Sequence, residues 1–344
     1  MRDVTLGSTG IRVRQCAFGA LPVQRAPMDD AVKILRRAYE GGMRYFDTAR
    51  AYSDSEEKIG RAFADIDRSS YYLATKTQAK TPEAFWRDLE TSLQKLGTDH
   101  IDVYQFHMAD RVFAPGDGTG MYEAMLSAKE AGKISHIGIT AHKIGVAEDA
   151  VASGLYETLQ FPFSYLSGER EVALVRMCEE RNVGFVCMKG MAGGLISCAD
   201  VAQAFVGLHP WALPIWGIQR MAELEQWLSF MDETPAWTDE VAAFVERERS
   251  ELVGEFCRGC GYCMPCPQGI EIFNCARMSL MLRRAPSASW LTPHWQEEMA
   301  KIETCVGCGR CAARCPYELD TPALLRRNWQ DYQQVLAGAK SVEW

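Results

Sequence analysis

Residues 71–107 read YYLATKTQAKTPEAFWRDLETSLQKLGTDHIDVYQFH, and the hydrophobic rhythm changes twice within them. Tyr71–Thr77 is a short apolar run of β-forming residues, and Ile101–His107 is another. Between them Phe85, Leu89, Leu93 and Leu96 recur at helical spacing. Thr81 stands where a side-chain cap belongs, Pro82 suits the first helical position, and Gly97 suits the exit. The stretch therefore reads as strand, helix, strand.

The same alternation extends in both directions. QCAFGAL, RYFDTA, ISHIGIT, ETLQFPF, VGFVCMK and ALPIWGI complete a set of eight candidate strands, and DDAVKILRRAYEGG repeats the helix design with Ile34, Leu35, Ala38 and Tyr39 inward. Eight strands alternating with helices predict an α/β fold, a closed (β/α)8 TIM barrel, over residues 1–240. No strand is followed by a G-x-G-x-x-G turn, which argues against a Rossmann domain. The opening VTLGSTGIRV, with Gly7 and Gly10 at its turn, reads as a hairpin plugging the barrel floor.

Chemistry in such barrels sits where the strands end at their C-terminal face. Four residues occupy such positions on consecutive strands: Asp47 at the end of RYFDTA with Tyr52 in the following loop, Lys76 in LATKTQ, and His107 after VYQF. Each alone is as readily a cap or a structural residue. Together on one rim they form a candidate acid–base constellation.

Beyond residue 240 the composition changes. The chain has 344 residues and 13 cysteines, and eight of the cysteines fall in two runs. CRGCGYCMPCP (257–267) and CVGCGRCAARCP (305–316) space their thiols as Cys257, Cys260, Cys263, Cys266 and as Cys305, Cys308, Cys311, Cys315. A zinc ribbon needs only two short pairs, whereas the second run has the spacing of a [4Fe-4S] ferredoxin. Gly307 and Gly309 let the backbone curl around a cluster. The first run has a shorter last gap, which a fourth cysteine serving the neighbouring cluster tolerates. The expected ligand sets are Cys257, Cys260, Cys263 and Cys315 for one cluster and Cys305, Cys308, Cys311 and Cys266 for the other, the alternative being that each run keeps its own four. IFNCARMSLMLRRA, between the runs, reads as a helix beside the clusters. Residues 241–344 are thus expected to form a small, mainly α-helical ferredoxin-like dicluster domain, led by the tether DETPAWTDEVAAFVERERSELVGEF. Cys16, Cys178, Cys187, Cys198 and Cys275 lie outside the pattern and read as ordinary thiols.

A net charge of −8 disfavours nucleic acid or an anionic membrane as partner. The absence of a long apolar run at the N-terminus makes the cytoplasm the expected compartment, where a reducing environment disfavours disulfides.

The first 240 residues resemble the aldo-keto reductases, through LGSTGIRV, FDTARAY followed by SEEKIGRAF, ATK, IDVYQFH, GKISHIGIT, LQFPFSYL and MKGMAGG. The resemblance implies a NADP(H)-dependent oxidoreductase, with NAD(H) as the alternative, that interconverts an aldehyde or ketone and an alcohol. It casts Tyr52 as proton donor, Lys76 as the cation that lowers the tyrosine pKa, Asp47 as the partner that keeps Lys76 charged, and His107 as a hydrogen-bond donor to the substrate oxygen. Cofactor contacts are implied for Thr140, Gln160, Met188, Gly217, Gln219, Arg220 and Glu223. Several depart from the family pattern: Thr140-Ala141 replaces Ser-Asn, Met188 replaces a stacking tyrosine, and Trp227 replaces an asparagine. Arg220 is the residue for a 2′-phosphate. Phe113, Tyr165 and Trp211 read either as rim aromatics or as core.

Hydride transfer needs no iron, so three readings stand. The barrel is a reductase whose clusters staple a small domain; or the clusters exchange electrons with a redox partner protein or a bound substrate; or the barrel is idle and the chain is a redox carrier or oxygen sensor.

Overall fold

The computed structural model describes residues 1–252, 256–284, 287–315 and 317–342. A two-stranded antiparallel hairpin comes first, β1 (Asp3–Thr5) with β2 (Arg12–Arg14). Then strands and helices alternate: β3 (Ala17–Gly19), α1 (Met28–Glu40), β4 (Tyr45–Asp47), α2 (Ser55–Phe63), β5 (Tyr72–Thr77), α3 (Pro82–Leu96), β6 (Ile101–Phe106) and α4 (Met121–Glu130). The second half continues with β7 (Ile134–Thr140), α5 (Ile144–Ser153), β8 (Thr158–Pro162), α6 (Glu169–Glu180), β9 (Gly184–Met188), α7 (Ala199–Gly207), β10 (Ala212–Gly217) and α8 (Met221–Asp232). Strands β3 to β10 are parallel and close into a barrel, β10 pairing back onto β3. This is the (β/α)8 barrel expected from the alternation.

Local chemistry explains the elements. In α3 the Thr81 side chain accepts from Ala84 N, Phe85, Leu89, Leu93 and Leu96 are buried, and Gly97 exits at φ +66°, a conformation that suits glycine. The hairpin lies on the barrel floor: Val4, Leu6, Ile11 and Val13 pack in one cluster with Ala17, Tyr45, Ala74, Val103, Val186, Leu213 and Ile215 from the strands. Gly7 is pressed so close to the 182–184 backbone that a Cβ would lie 2.2 Å from Gly184 N. The plug thus closes the end opposite the strand C-termini.

The chain divides into two compact units, Met1–Gly190 with Ala199–Asp239, and Met191–Cys198 with Glu240–Trp344. The second unit takes a short segment, Met191–Cys198, from between β9 and α7. It is otherwise helical: α9 (Asp239–Glu251), α10 (Ile272–Cys275), α11 (Met278–Arg284), α12 (Pro293–Ala300), α13 (Arg310–Ala313) and α14 (Thr321–Leu336). Of the helix expected over 272–285, Ala285 lies outside the described residues, and the rest is two short helices, interrupted at Ala276–Arg277. Its core gathers Ile270, Ile272, Met278, Leu282, Met299, Leu325 and Tyr332 around the cysteine runs. Pro316 of the second run and residues 253–255 at the end of the tether lie outside the described residues. No helix among the described residues is long and apolar enough to cross a membrane.

Candidate active site and cysteine pockets

Strands β4 and β5 bring their C-terminal ends together, and with them two opposite charges. Lys76 Nζ donates to Asp47 Oδ1 at 2.7 Å and to the Thr48 carbonyl at 2.5 Å. The pair is almost wholly buried, with side chains 1% and 3% exposed. Burial raises the Asp47 carboxyl pKa and lowers that of Lys76, while their mutual attraction opposes both shifts. Tyr52 sits above this pair, its ring centroid 5.2 Å from Lys76 Nζ. The His107 ring meets Tyr52 edge-on, with centroids 5.6 Å apart and planes at 83°. All four candidate residues are therefore brought together.

The electrostatics differ from the expected scheme in one respect. The Tyr52 phenol is pushed above its ordinary value, by burial and then by the Asp47 carboxylate, where a lowering by Lys76 was expected. Lys76 spends its charge on Asp47, so the tyrosine faces a nearly neutral pair and a loss of water. His107 is brought down to about 3 by burial and by Lys76, and its Nδ1 is buried without a hydrogen-bond partner. It is a neutral imidazole with one nitrogen left for a ligand.

Gln105 escaped the sequence reading. It points inward from β6 and donates through Nε2 to Asp47 Oδ2 at 3.4 Å and to Gln160 Oε1 at 3.2 Å. The two-residue alternation Val103, Gln105, His107 along β6 was the available signal. His142, two residues after Thr140, was also missed. It is buried, and its pKa is held well below the ordinary value by burial, Lys189 and His107.

The candidate cofactor residues are arranged less uniformly. Thr140 Oγ1 accepts from Met108 N at 2.8 Å, Gln160 is buried, and Met188 ends β9 half-buried. Gly217 ends β10 against Pro22, whose Cγ a Cβ would meet at 2.9 Å. Gln219 and Arg220 donate their backbone N–H groups to Glu223 Oε2, at 2.9 and 3.1 Å. Arg220 also binds Glu223 Oε1 through its guanidinium, which is 74% exposed. Trp227 is buried and stacks flat on Trp216. Of the three aromatics, Phe113 and Tyr165 are core. Trp211 precedes β10 and donates to the Val183 carbonyl at 2.7 Å, which puts it at the strand starts, away from the rim.

In the helical unit two cavities hold the cysteines. One is lined by Cys257, Cys260, Cys263 and Cys315, together with Arg258 and Tyr317. The other is lined by Cys266, Cys305, Cys308 and Cys311, together with Cys263. Gly259, Gly261, Gly307 and Gly309 all have positive φ, between +63° and +81°, so the runs curl as a thiolate cradle requires. Among the described residues no three His, Cys, Asp or Glu side chains converge as ligands of a single ion. A four-iron cube makes no such demand, because each thiolate binds a different iron. The scattered Cys178 and Cys275 are buried, and burial pushes both thiols up to about 12.

The fold is thus a parallel eight-stranded barrel that carries this polar group at the C-terminal ends of its strands. Residues 16–212, more than half of the chain, match the model of the aldo/keto reductase family, and the chain belongs to that family. Residues 256–320 match a 4Fe-4S dicluster domain. The oxidoreductase YrpG of Bacillus subtilis is 30% identical in an alignment 227 residues long that covers 57% of this chain and 68% of that protein. The aldo-keto reductase YhdN of the same organism is 29% identical, over 57% of this chain and 64% of that protein. The match to YhdN thus spans just under two thirds of that relative's length. Among solved structures, the holo form of aldo-keto reductase AKR11C1 from Bacillus halodurans aligns with a TM-score of 0.64 at 21% identity, covering 74% of this chain and 98% of that one. At that identity the likeness concerns the fold.

Proposed function

We propose that the barrel interconverts an aldehyde or ketone and an alcohol with a nicotinamide dinucleotide, and that residues 241–344 hold two [4Fe-4S] clusters. The observation that carries the first half is the buried Asp47–Lys76 pair facing Tyr52, with His107 beside it. When bound, the nicotinamide supplies the hydride that the carbonyl carbon receives. Tyr52 Oη gives the substrate oxygen its proton; a phenol whose pKa is raised by burial keeps that proton until the oxygen becomes basic. His107, neutral, donates a hydrogen bond that orients the oxygen. Asp47, held by Lys76 and Gln105, keeps the cluster of side chains in one arrangement. The unpartnered His107 Nδ1 fits a site that a polar ligand completes. Thr140, Gln160 and Met188 would lie along the nicotinamide. Gly217, Gln219, Arg220 and Glu223 would lie at the far end of the dinucleotide. There the Glu223 carboxylate competes with a 2′-phosphate for Arg220, which favours NAD(H) over the NADP(H) expected from Arg220 alone.

For the clusters, the support is the composition of the two cavities: each gathers three cysteines of one run with the last cysteine of the other. When bound, such clusters pass single electrons. Because Cys263 and Ile272 line both cavities, the two clusters would be neighbours, an arrangement suited to electron relay to a partner protein rather than to stapling alone. The deciding experiment is anaerobic mixing of the full chain with NADH or NADPH and a panel of aldehydes, ketones and quinones. Nicotinamide oxidation with silent cluster absorbance supports a reductase with structural iron. Clusters that bleach and recover during turnover put the iron in the electron path. No dinucleotide consumption and no dinucleotide binding would overturn the reductase reading.

A further inference from the structure

The segment Met191–Cys198 leaves the barrel's sequence after β9 yet packs as part of the helical unit. Its backbone is strained: Ala192, Gly193 and Gly194 have φ of +48°, +67° and +94°, and Lys189 just before them has +57°. Positive φ at alanine and lysine persists only where surrounding contacts impose it. Two arginines supply such contacts. Arg277 Nη1 donates to the Gly193 carbonyl at 2.8 Å, and Arg284 Nη1 donates to the Leu195 carbonyl at 3.0 Å. Arg284 is itself clamped by both oxygens of Glu248, and Arg277 by Asn274 Oδ1 at 3.0 Å.

Arg277 has a second neighbour. Its guanidinium lies against the turn between Cys257 and Cys260, where a Cβ on Gly259 would come 2.7 Å from Nη1. A Cβ on Gly193 would come 2.9 Å from the same nitrogen. One guanidinium thus fills the space between the first cysteine turn and the segment that follows β9. On the other side, the segment springs from a firm base: Gly190 is packed so tightly on Trp216 that a Cβ would meet the ring at 2.4 Å. The loops that follow barrel strands at their C-terminal ends are the ones that build the active site.

We propose that Arg277 is a positioning residue that makes the order of residues 191–198, and through them the end of β9 at Met188, depend on the first iron–sulfur site. The Cys257–Cys260 turn is rigid only while its thiolates are tied to iron. With the turn fixed, Arg277 has one place to lie and holds Gly193 in its left-handed conformation. With the turn loose, the guanidinium loses that wall and the strained segment relaxes. This rests on the reading that the first run holds a cluster, and it deepens that reading by giving the cluster an effect on the barrel that needs no electron transfer.

The test compares the iron-loaded full chain, its Arg277→Gln variant and the wild-type chain after anaerobic iron chelation. Amide hydrogen exchange of 191–198, dinucleotide affinity and iron content are read together. Arg277→Gln is expected to keep its iron, to exchange at least about tenfold faster in 191–198, and to bind dinucleotide several-fold more weakly. Chelation is expected to give the same acceleration. If Arg277→Gln loses iron, Arg277→Lys, which keeps the charge but lacks the fork that reaches both the Gly193 carbonyl and the Asn274 side chain, takes its place with the same expectations. Unchanged protection of 191–198 in the chelated chain, or in an iron-replete variant, overturns the proposal. A purified wild-type chain without iron would overturn the cluster reading instead. A chain that shows the exchange effect but binds no dinucleotide would leave the coupling standing and overturn the reductase reading.

Discussion

The Glu223 carboxylate holds the Arg220 guanidinium by Nε at 2.8 Å and by Nη2 at 2.7 Å, while its other oxygen caps the first turn of α8 through Gln219 N and Arg220 N. The chain therefore carries its own anion where a 2′-phosphate would look for a cation and for free N–H groups. Glu223→Gln should leave the cap's hydrogen bonds partly in place and release Arg220. The expected outcome is a roughly three- to fivefold gain in affinity for NADPH relative to NADH, the scale of one exposed ion pair. Fluorescence titration of both dinucleotides checks it; an unchanged ratio would show that Arg220 takes no part.

Tyr52→Phe removes the proton donor and keeps the ring against His107. Carbonyl reduction should fall by roughly 10²- to 10⁴-fold, with iron content and dinucleotide affinity unchanged. Full activity in the variant would sink the assignment of Tyr52.

His107 is held down to about 3 by burial and by Lys76, against an ordinary imidazole value of about 6.5. Its folded pKa lies below its unfolded one, so only the unfolded chain takes up the proton between those values. The stability that His107 contributes is complete above about pH 6.5 and is lost as pH falls towards 3. An NMR titration should find the His107 ring unmoved between about pH 8 and about pH 5. A midpoint near the ordinary value would contradict the half-buried, neutral imidazole.

Cys315 belongs by sequence to the second run and by position to the first cavity. Cys315→Ser should therefore remove the same paramagnetic signal that Cys260→Ser removes, and Cys266→Ser the same signal as Cys308→Ser. The opposite pairing in electron paramagnetic resonance spectra would mean that each run keeps its own cluster.

Trp227 stands where the family usually has an asparagine, yet its ring is buried 3.9 Å from that of Trp216, with planes 8° from parallel. Trp227→Asn should cost roughly 3–5 kcal/mol of stability, measured by chemical denaturation, without improving dinucleotide affinity. A mild loss together with tighter binding would instead mean that the indole blocks an adenine site.

The sequence by itself determined the barrel, because burial alternates with period two in a strand and 3.6 in a helix, and caps such as Thr81 and Gly97 mark where one gives way to the other. It also determined the two close-set cysteine runs, whose glycines at positive φ let the chain curl. That Asp47, Tyr52, Lys76 and His107 come together was legible because strand ends share one rim whatever their separation along the chain. Other features were decided only by the tertiary structure. Whether Lys76 serves Tyr52 or Asp47, whether Arg220 is free, which run receives Cys315, and that Met191–Cys198 packs with the helical unit all depend on distances between residues far apart in sequence. Charge pairing and close packing act over a few ångströms of space, and neither leaves a periodic trace along the chain.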